Sequence, residues 1–314
     1  MTFSGRLSDS DYLRYSAITR RSPVIWPGGA HVAFWTVPNV EHYEFKPVAQ
    51  NPYIKSWSRT PAPDVMEYSL YDYGNRVGFW RMLEVYDRYN LKATVSVNVA
   101  VLEQFPRLCE AMIERNWEFM GHGLFNTRYL FGMDIEHERH FYRDLIRQTH
   151  ERTGTRMKGM LGPALTATPN TPWLMKEAGL LYTTDWFVDD QPFPLFTPAG
   201  PLVGVPYSRT INDAFNFWPG TRVVEPEYWV QTCKDQFDVL FQEGAESGRV
   251  MCLPLHPFIV GQPHRVKYLD QILDYVLRHD HVWCATAGEI ADWYAKTTMP
   301  RHIEELEPIL KDAE

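Results

Sequence analysis

Apolar runs and polar segments alternate along most of this 314-residue chain. The runs are short, rich in β-branched and aromatic residues, and bounded by glycine, proline or polar turn residues, which is typical of buried strands. One of them, HVAFWTVPNVE at 31–41, follows the turn-forming stretch WPGG and ends in a carboxylate. The predicted strands are 31–41, 92–100, 118–123, 160–165, 180–186, 202–208, 249–257 and 281–286.

Between these runs, apolar residues recur at helical spacing. In 74–90, for example, Val77 and Leu83 fall roughly on one stripe of a helix. Asp134 is placed to cap the N-terminus of another helix. Residues 42–68 have no clear period and predict a long loop, and long ordered loops are often functional. The predicted helices are 74–90, 101–116, 134–153, 168–179, 225–247, 264–280 and 287–296.

The repeated order of strand and helix predicts an α/β protein with a parallel sheet. About eight strands suit a closed or nearly closed barrel better than two separate domains. We therefore expect an N-terminal arm over residues 1–30 and a C-terminal tail over 298–314. Between them, residues 31–297 are predicted to form a single catalytic (β/α) barrel.

Polar residues stand at the C-terminal ends of several predicted strands, where the active sites of such barrels lie. Glu41, His122 and His256 each end a strand or directly follow one. The pairs Asp189–Asp190 and Asn212–Asp213 come shortly after two more strands. This shared location predicts one catalytic site. The alternative is a structural role for each: a histidine that bonds a strand carbonyl, an ordinary loop carboxylate, and pairs that cap helices or turns.

Three further residues are candidates for the wall of this pocket. Tyr73 and Arg76 lie in YDYGNR, and Trp186 ends a predicted strand. Arg76 suits a structural salt bridge equally well, and a tryptophan in such a position is more often part of the core. The two histidines of HERH at 137–140 have a spacing that could bind a metal, but they lie in a charged segment that indicates a solvated helix face.

The net charge of −8 argues against a nucleic-acid surface and against binding to an anionic membrane. No apolar run approaches the length of a membrane span, and the first residues contain no secretory signal. The four cysteines are far apart and form no CxxC motif, which argues against structural zinc and a disulfide framework. We expect a cytoplasmic protein.

Several stretches, in their number and order, resemble the polysaccharide-deacetylase superfamily over most of the chain. They are NVEHYE (39–44), SLYDYGNRVGFWRML (69–83), GHG (121–123), TPNT (168–171), VDDQPF (188–193), VPYSRTIND (205–213), LHPFIVGQP (255–263) and HDHVWCA (279–285). The resemblance implies a distorted (β/α) barrel of the NodB-homology type, with seven to eight strands. It is closest to the metal-independent allantoinase branch, and it implies a homo-oligomer.

The departures from the family pattern bear on the chemistry. Metal-dependent members are similar in having an Asp-Asp pair after the first strand, where this chain has Asn39-Val40-Glu41, and a second histidine where this chain has Asn126. The resemblance therefore implies no metal cofactor, although a divalent ion such as zinc remains an alternative. The allantoinase branch carries an arginine in the loop equivalent to 159–171, which here has no Arg or Lys. We expect a substrate less polar than allantoin.

Hydrolysis of an amide needs a base for water, a donor for the oxyanion and an acid for the leaving nitrogen. We expect Glu41 with His122 to position and deprotonate the water, and His256 to act as acid or oxyanion donor. The expected substrate is a small, probably cyclic amide, namely a hydantoin, ureide or cyclic imide. The alternatives are a metal-dependent N-deacetylase of an amino sugar and a non-catalytic binding protein. The expected substrate-binding residues are Tyr73, Arg76, Asn126, Trp186, Asp189, Asp190, Asn212 and Asp213.

Overall fold

The computed structural model describes residues 12–47, 63–218 and 224–311. Within them, nine strands form one sheet in the order β6-β7-β5-β4-β3-β2-β1-β8, with β9 beside β1. The strands are β1 Val32–Val40, β2 Thr94–Val97, β3 Glu118–Gly121, β4 Gly159–Met160, β5 Tyr182–Thr183, β6 Phe193–Leu195, β7 Leu202–Gly204, β8 Arg249–Leu255 and β9 Val282–Cys284.

All strand pairs are parallel except β6 with β7. Strand β1 is the centre of the sheet: one edge pairs with β8 along most of its length, while the other edge pairs first with β9 and then with β2. The sheet curls into an incomplete barrel with helices around it, and this confirms the predicted α/β barrel fold.

Twelve helices connect or flank the strands in the described part of the chain. They are α1 Val65–Tyr73, α2 Phe79–Arg88, α3 Val99–Gln104, α4 Pro106–Glu114, α5 Ile135–Thr153, α6 Thr171–Glu177, α7 Asp213–Phe217, α8 Pro226–Gly244, α9 Pro257–Val260, α10 Val266–Leu277, α11 Ala287–Thr297 and α12 Met299–Lys311. The Asp134 side chain accepts from two amides of α5, so its predicted cap is confirmed. None of these helices combines the length and apolar character needed to cross a membrane.

Several element boundaries differ from the sequence prediction for local reasons. The predicted helix 74–90 is preceded by α1, which Asp64 caps inside the predicted loop, and a π-helical turn joins α1 to α2. The predicted helix 101–116 is divided at Pro106, which has no amide hydrogen to continue it. The predicted strand 160–165 ends at Met160, after which Ala164 and Leu165 take positive φ values of 50° and 58°.

The core has two sides, because β1 is buried along all of its nine residues. Side chains alternate between the two faces of a strand. Val32 and Phe34 pack outward against the helices, whereas Ala33, Trp35 and Val37 pack inside the barrel. Odd-numbered positions of this strand therefore face inward, and the same alternation directs the next odd-numbered residues, 39 and 41, towards the barrel axis.

The π-helical turn Gly74–Gly78 touches the short helix α9 through backbone atoms. A Cβ on Gly78 would lie 2.0 Å from the carbonyl oxygen of Pro257, and one on Gly74 would lie 2.7 Å from the amide nitrogen of Phe258. Only glycine permits so close an approach. The contact fixes the position of the chain directly after β8.

Candidate active site

A cavity of about 260 Å³ opens at the C-terminal ends of the strands. Glu41, His122 and His256 all line it, so the structure brings together the three predicted catalytic residues. They lie directly after β1, β3 and β8 and are only 7, 3 and 6% exposed. The aromatic side chains along its wall are Tyr43, Tyr71, Tyr129, Tyr207, Phe215 and Trp218.

His122 is held by the ends of neighbouring strands. Its backbone amide donates to the carbonyl of Val97, and its carbonyl accepts from the side chain of Asn98, directly after β2. Gly123 then takes a φ of 75°, which turns the chain sharply after the histidine. The histidine ring is therefore fixed at the mouth of the barrel by backbone pairing on one side and a glycine turn on the other.

The ring of His122 links Glu41 to the loop after β4. Its Nδ1 lies 2.8 Å from the carbonyl oxygen of Leu161, and its Nε2 lies 3.2 Å from Glu41 Oε1. A carbonyl can only accept, so Nδ1 carries a proton. The Nε2 atom of the ring and Glu41 Oε1 lie within hydrogen-bond distance of each other. This pair is consequently a place where one proton can be held or moved.

The second oxygen of Glu41 is held by a separate chain of hydrogen bonds. Tyr43 donates to Glu41 Oε2 at 2.8 Å, and the amide nitrogen of Asn126 donates to Tyr43 at 2.6 Å. Burial raises the pKa of Glu41, but the hydrogen bond from His122, the charge of His256 and the hydrogen bond from Tyr43 outweigh it and lower the pKa overall. Glu41 is therefore kept as a carboxylate.

His256 has a carboxylate partner of its own. Its Nδ1 lies 2.6 Å from Oδ1 of Asp213, which is fully buried at the start of α7. Burial lowers the pKa of His256, but the carboxylates of Asp213 and Glu41 outweigh it and raise the pKa overall. The Nε2 atom of the ring faces Glu41 Oε1 at 3.7 Å. The site thus places a histidine whose pKa is raised opposite a carboxyl group whose pKa is lowered.

Two buried amide oxygens at the cavity have no hydrogen-bond partner in the described part of the protein, namely Oδ1 of Asn39 and Oδ1 of Asn126. In both residues the amide nitrogen is already committed: Asn126 donates to Tyr43, and Asn39 faces the carbonyl of Leu255 at 3.3 Å. An unpaired buried acceptor is costly, so such groups are expected to meet a ligand donor. Both oxygens suit an N–H group.

The loop that carries the acceptor for His122 rests on Asp185. Its carboxylate accepts from the amide of Gly162 at 2.7 Å and from the hydroxyl of Thr183 at 3.1 Å. Burial raises the pKa of Asp185 to about 6. Asp185 therefore holds the loop at Gly162, next to Leu161, and both of these loop residues line the cavity.

The donor atoms at the cavity do not fit a catalytic metal ion. Glu41 Oε1 and His122 Nε2 face one another, and Asn126 turns its amide nitrogen to Tyr43. A catalytic zinc site needs three nitrogen, oxygen or sulfur ligands directed at one point. Across residues 12–47, 63–218 and 224–311, no three His, Cys, Asp or Glu side chains are arranged to hold a metal ion.

Of the predicted substrate-binding residues, Asn126 and Asn212 line the cavity, and Asp213 contacts it through His256. Asn212 has structural partners as well, since its Oδ1 caps α7 and its Nδ2 donates to Tyr207. Asn212 therefore has the helix-capping role that was the structural alternative for the Asn212–Asp213 pair, in addition to its place at the cavity.

The structure does not place the other five predicted substrate-binding residues at this cavity. Tyr73 contacts Arg81, Arg76 pairs with Asp72 at the surface, and Trp186 packs beside the core. Asp189 forms a buried salt bridge to Arg21 at 2.6 Å, and Asp190 bonds β8 through its carbonyl. Arg76 and Trp186 follow their structural alternatives, and Asp189 follows its turn alternative as well, because its side chain accepts from the amide of Gln191.

Besides aromatic wall residues such as Trp218, four residues at or near the cavity were missed from the sequence: Asn39, Tyr43, Asp185 and Tyr207. Tyr207 comes shortly after β7, Asp185 comes shortly after β5 and Asn39 lies at the C-terminal end of β1, so the rule that singled out His122 would have included all three. Tyr43 could have been suspected because it stands two residues after Glu41.

No family model matches the sequence. A Schizosaccharomyces pombe protein is 26% identical over 299 residues, which cover 86% of this chain and 92% of that protein; it carries the provisional name polysaccharide deacetylase. A solved structure from Pseudomonas aeruginosa PAO1, with the same provisional name, is 30% identical with a TM-score of 0.76, and the match covers 87% of this chain and 93% of that chain.

The solved structure of Puue allantoinase is 28% identical, with a TM-score of 0.76, and covers 87% of this chain and 93% of its own. These likenesses extend over nearly the whole barrel rather than one motif. The site geometry agrees with them, because the three strand-end residues that carried the resemblance meet at one cavity. The chain belongs to the polysaccharide-deacetylase superfamily, in its allantoinase-like branch, whose members are hydrolases of carbon–nitrogen bonds other than peptide bonds.

Proposed function

We propose that this protein hydrolyses a carbon–nitrogen bond in a small amide, most simply a cyclic one such as a hydantoin or cyclic imide, or a linear ureide. The observation that carries the proposal is the convergence of Glu41, His122 and His256 on one cavity. Glu41, whose pKa is lowered, and His256, whose pKa is raised, face each other there, and these shifts suit them to act as the base and the acid that amide hydrolysis requires.

In the proposed reaction, water lies between Glu41 and the substrate carbonyl. Glu41, with His122, removes one proton as the water oxygen bonds to the carbonyl carbon. His256 gives the proton on its Nε2 to the leaving nitrogen as the carbon–nitrogen bond breaks. Asp213 holds the proton of Nδ1, so that His256 presents a second proton to the cavity. Proton transfer from Glu41 and His122 back to His256 completes the cycle.

The cavity supports a small, partly apolar substrate. Its volume of about 260 Å³ is below the ~300–1,000 Å³ of typical ligand clefts, and five tyrosine, phenylalanine or tryptophan side chains besides Tyr207 form its wall. The unpaired oxygens of Asn39 and Asn126 match substrate N–H groups, which hydantoins, ureides and imides carry next to their carbonyls. The absence of Arg and Lys from 159–171 accords with a substrate less polar than allantoin.

We propose further that the reaction needs no metal cofactor. The amide of Asn126 and the mutual contact of Glu41 and His122 support this, since they use the donor atoms that an ion would need. A cytoplasmic location and a homo-oligomeric state complete the proposal. Light scattering coupled to size-exclusion chromatography measures the second of these directly.

The test is a hydrolysis screen over hydantoins, ureides, cyclic imides and N-acetyl amino sugars, run with and without chelator on protein of known metal content. We expect turnover of at least one small cyclic or linear amide, unaffected by chelator and without a stoichiometric metal. Turnover of N-acetyl amino sugars alone, lost with chelator, would replace the proposal with a metal-dependent N-deacetylase. Ligand binding without turnover of any compound would instead indicate a non-catalytic binding protein.

A further inference from the structure

Tyr207 presents its hydroxyl group to the catalytic cavity. The residue follows β7, is 6% exposed, and packs its ring against Trp35 with 6.5 Å between ring centroids. Two side chains contact the hydroxyl oxygen, Asn39 at 3.4 Å and Asn212 at 3.0 Å, and both of them line the cavity. The hydroxyl end of the ring therefore lies at the cavity wall, beside Asn39 and Asn212.

The orientation of both amides is fixed by backbone groups. Asn212 Oδ1 accepts from the amide of Ala214 at 2.8 Å, which leaves Nδ2 to face Tyr207. Asn39 Nδ2 faces the carbonyl oxygens of Val37 and Leu255, which can only accept. Neither amide can be turned round without losing these contacts, so both present N–H groups to the tyrosine oxygen.

Both NH2 groups that face the oxygen of Tyr207 can only donate, so neither of them accepts the proton of the hydroxyl. No acceptor for that proton occurs among the residues that the structure describes. Burial raises the pKa of Tyr207 well above its usual range, and the carboxylates of Asp213 and Glu41 raise it further. The phenol is therefore a neutral donor, held in place by two amides and aimed at a cavity that contains a base and an acid.

We propose that the Tyr207 hydroxyl donates a hydrogen bond to the carbonyl oxygen of the scissile amide, and that this oxygen gains negative charge when water adds. Tyr207 transfers no proton and stays neutral. When the carbon–nitrogen bond breaks, an electron pair of the oxygen re-forms the C=O bond, and the nitrogen leaves with the C–N electron pair and the proton from His256. The inference rests on the proposed function and deepens it, because it leaves His256 free to act as the acid for the leaving nitrogen.

The test compares Tyr207→Phe with Tyr182→Phe. Tyr182 is also fully buried, but its hydroxyl donates to Glu118 at the start of β3, the opposite end of the strands from the cavity. Removal of an oxyanion donor lowers kcat by roughly 10²–10³-fold with little change in KM. We expect this loss in Tyr207→Phe and close to normal turnover in Tyr182→Phe, with circular dichroism confirming that both are folded.

A second measurement separates contact with the substrate from a structural effect. The substrate found in the screen is compared with its analogue that has sulfur in place of the scissile carbonyl oxygen, since sulfur accepts hydrogen bonds weakly. We expect the preference of the wild type for oxygen over sulfur to shrink roughly tenfold in Tyr207→Phe and to persist in Tyr182→Phe.

The outcomes distinguish the two proposals. A wild type that hydrolyses no compound in the screen overturns the proposed function and this inference with it. The role of Tyr207 alone is overturned if the wild type is active and Tyr207→Phe stays within about twofold of it, both in kcat and in the preference for oxygen over sulfur. An equal loss in Tyr207→Phe and Tyr182→Phe also overturns that role, because only one of the two hydroxyls lies at the cavity.

Discussion

One carboxylate, Asp213, holds both the ring and the backbone of His256. Its Oδ1 lies 2.6 Å from Nδ1 of the ring, and its Oδ2 accepts from the backbone amide of the same residue at 2.7 Å. Asp213 is itself fixed as the first residue of α7. The histidine can therefore neither rotate nor choose the other tautomer without losing a buried hydrogen bond, and its Nε2 is left to face the cavity.

Replacement of Asp213 by Asn is expected to move the alkaline limb of the pH profile. The carboxylate raises the pKa of His256, so its loss lets the histidine lose its proton at lower pH. We expect the alkaline limb of kcat/KM to shift to lower pH by about one unit or more, with a lower plateau. The measurement is kcat/KM from pH 4 to 10 in buffers of constant ionic strength.

The matched control is Asp274→Asn, which removes an exposed carboxylate of α10 that pairs with Arg278. Its pH profile should coincide with that of the wild type. An unchanged alkaline limb in Asp213→Asn, in protein shown to be folded, would mean that another group controls that limb.

Replacement of Glu41 by Gln is expected to remove the base while keeping the shape of the site. The amide can still accept from Tyr43 or His122, but it cannot take a proton from water. We expect kcat to fall by roughly 10²–10⁴-fold, with a thermal midpoint close to that of the wild type. Turnover of Glu41→Gln within about tenfold of the wild type would exclude Glu41 as the base. The control is His137→Gln, which changes an exposed residue of α5.

Replacement of Tyr43 by Phe is expected to move the acidic limb of the same profile. The hydrogen bond from Tyr43 helps to lower the pKa of Glu41, so without it Glu41 takes up a proton at higher pH. The acidic limb of kcat/KM should shift to higher pH, while the alkaline limb, which reports on His256, stays in place. A shift of both limbs together would indicate a general disturbance of the site.

Replacement of Asp185 by Asn is expected to change how stability depends on pH. The pKa of Asp185 is raised to about 6 in the folded protein from an ordinary value of 3.8, so the folded state binds the proton more tightly. Stability from this group is present below about pH 4 and is lost as pH rises towards 6. Relative to the wild type, the thermal midpoint of Asp185→Asn should therefore rise between pH 4 and 7. A constant difference across that range would contradict the shifted pKa.

The barrel and the three strand-end residues could be predicted because each depends on local pattern. The run 31–41 is apolar throughout, since both faces of β1 are covered, and parallel strands place Glu41, His122 and His256 at one edge. The loops were harder to predict. Strand β6 lies in a proline-rich stretch that resembles a loop, and β4 and β5 are only two residues long, much shorter than the predicted strands 160–165 and 180–186.

The partners of the catalytic residues could not be predicted, because they are distant in sequence. Asp213 and His256 are 43 residues apart, and Tyr43 and Asn126 are 83 apart. Asp189 was placed at the site because it shortly follows a predicted strand, and Arg76 because it lies in YDYGNR, yet each is used in an ion pair elsewhere. The strand-end rule held for residues directly after a strand, whereas it failed for Asp189, which lies several residues beyond β5 in a loop.

The contact between Gly78 and Pro257 has a consequence for the redesign of this enzyme. His256, the proposed acid, is placed by main-chain atoms that touch across two segments, with no side chain between them to be trimmed or repacked. A change of specificity can therefore be sought freely among the aromatic residues of the wall. The π-helical turn and the segment after β8, in contrast, must be transferred or kept as a unit, because a single methyl group at Gly78 would displace His256 from its place at the cavity.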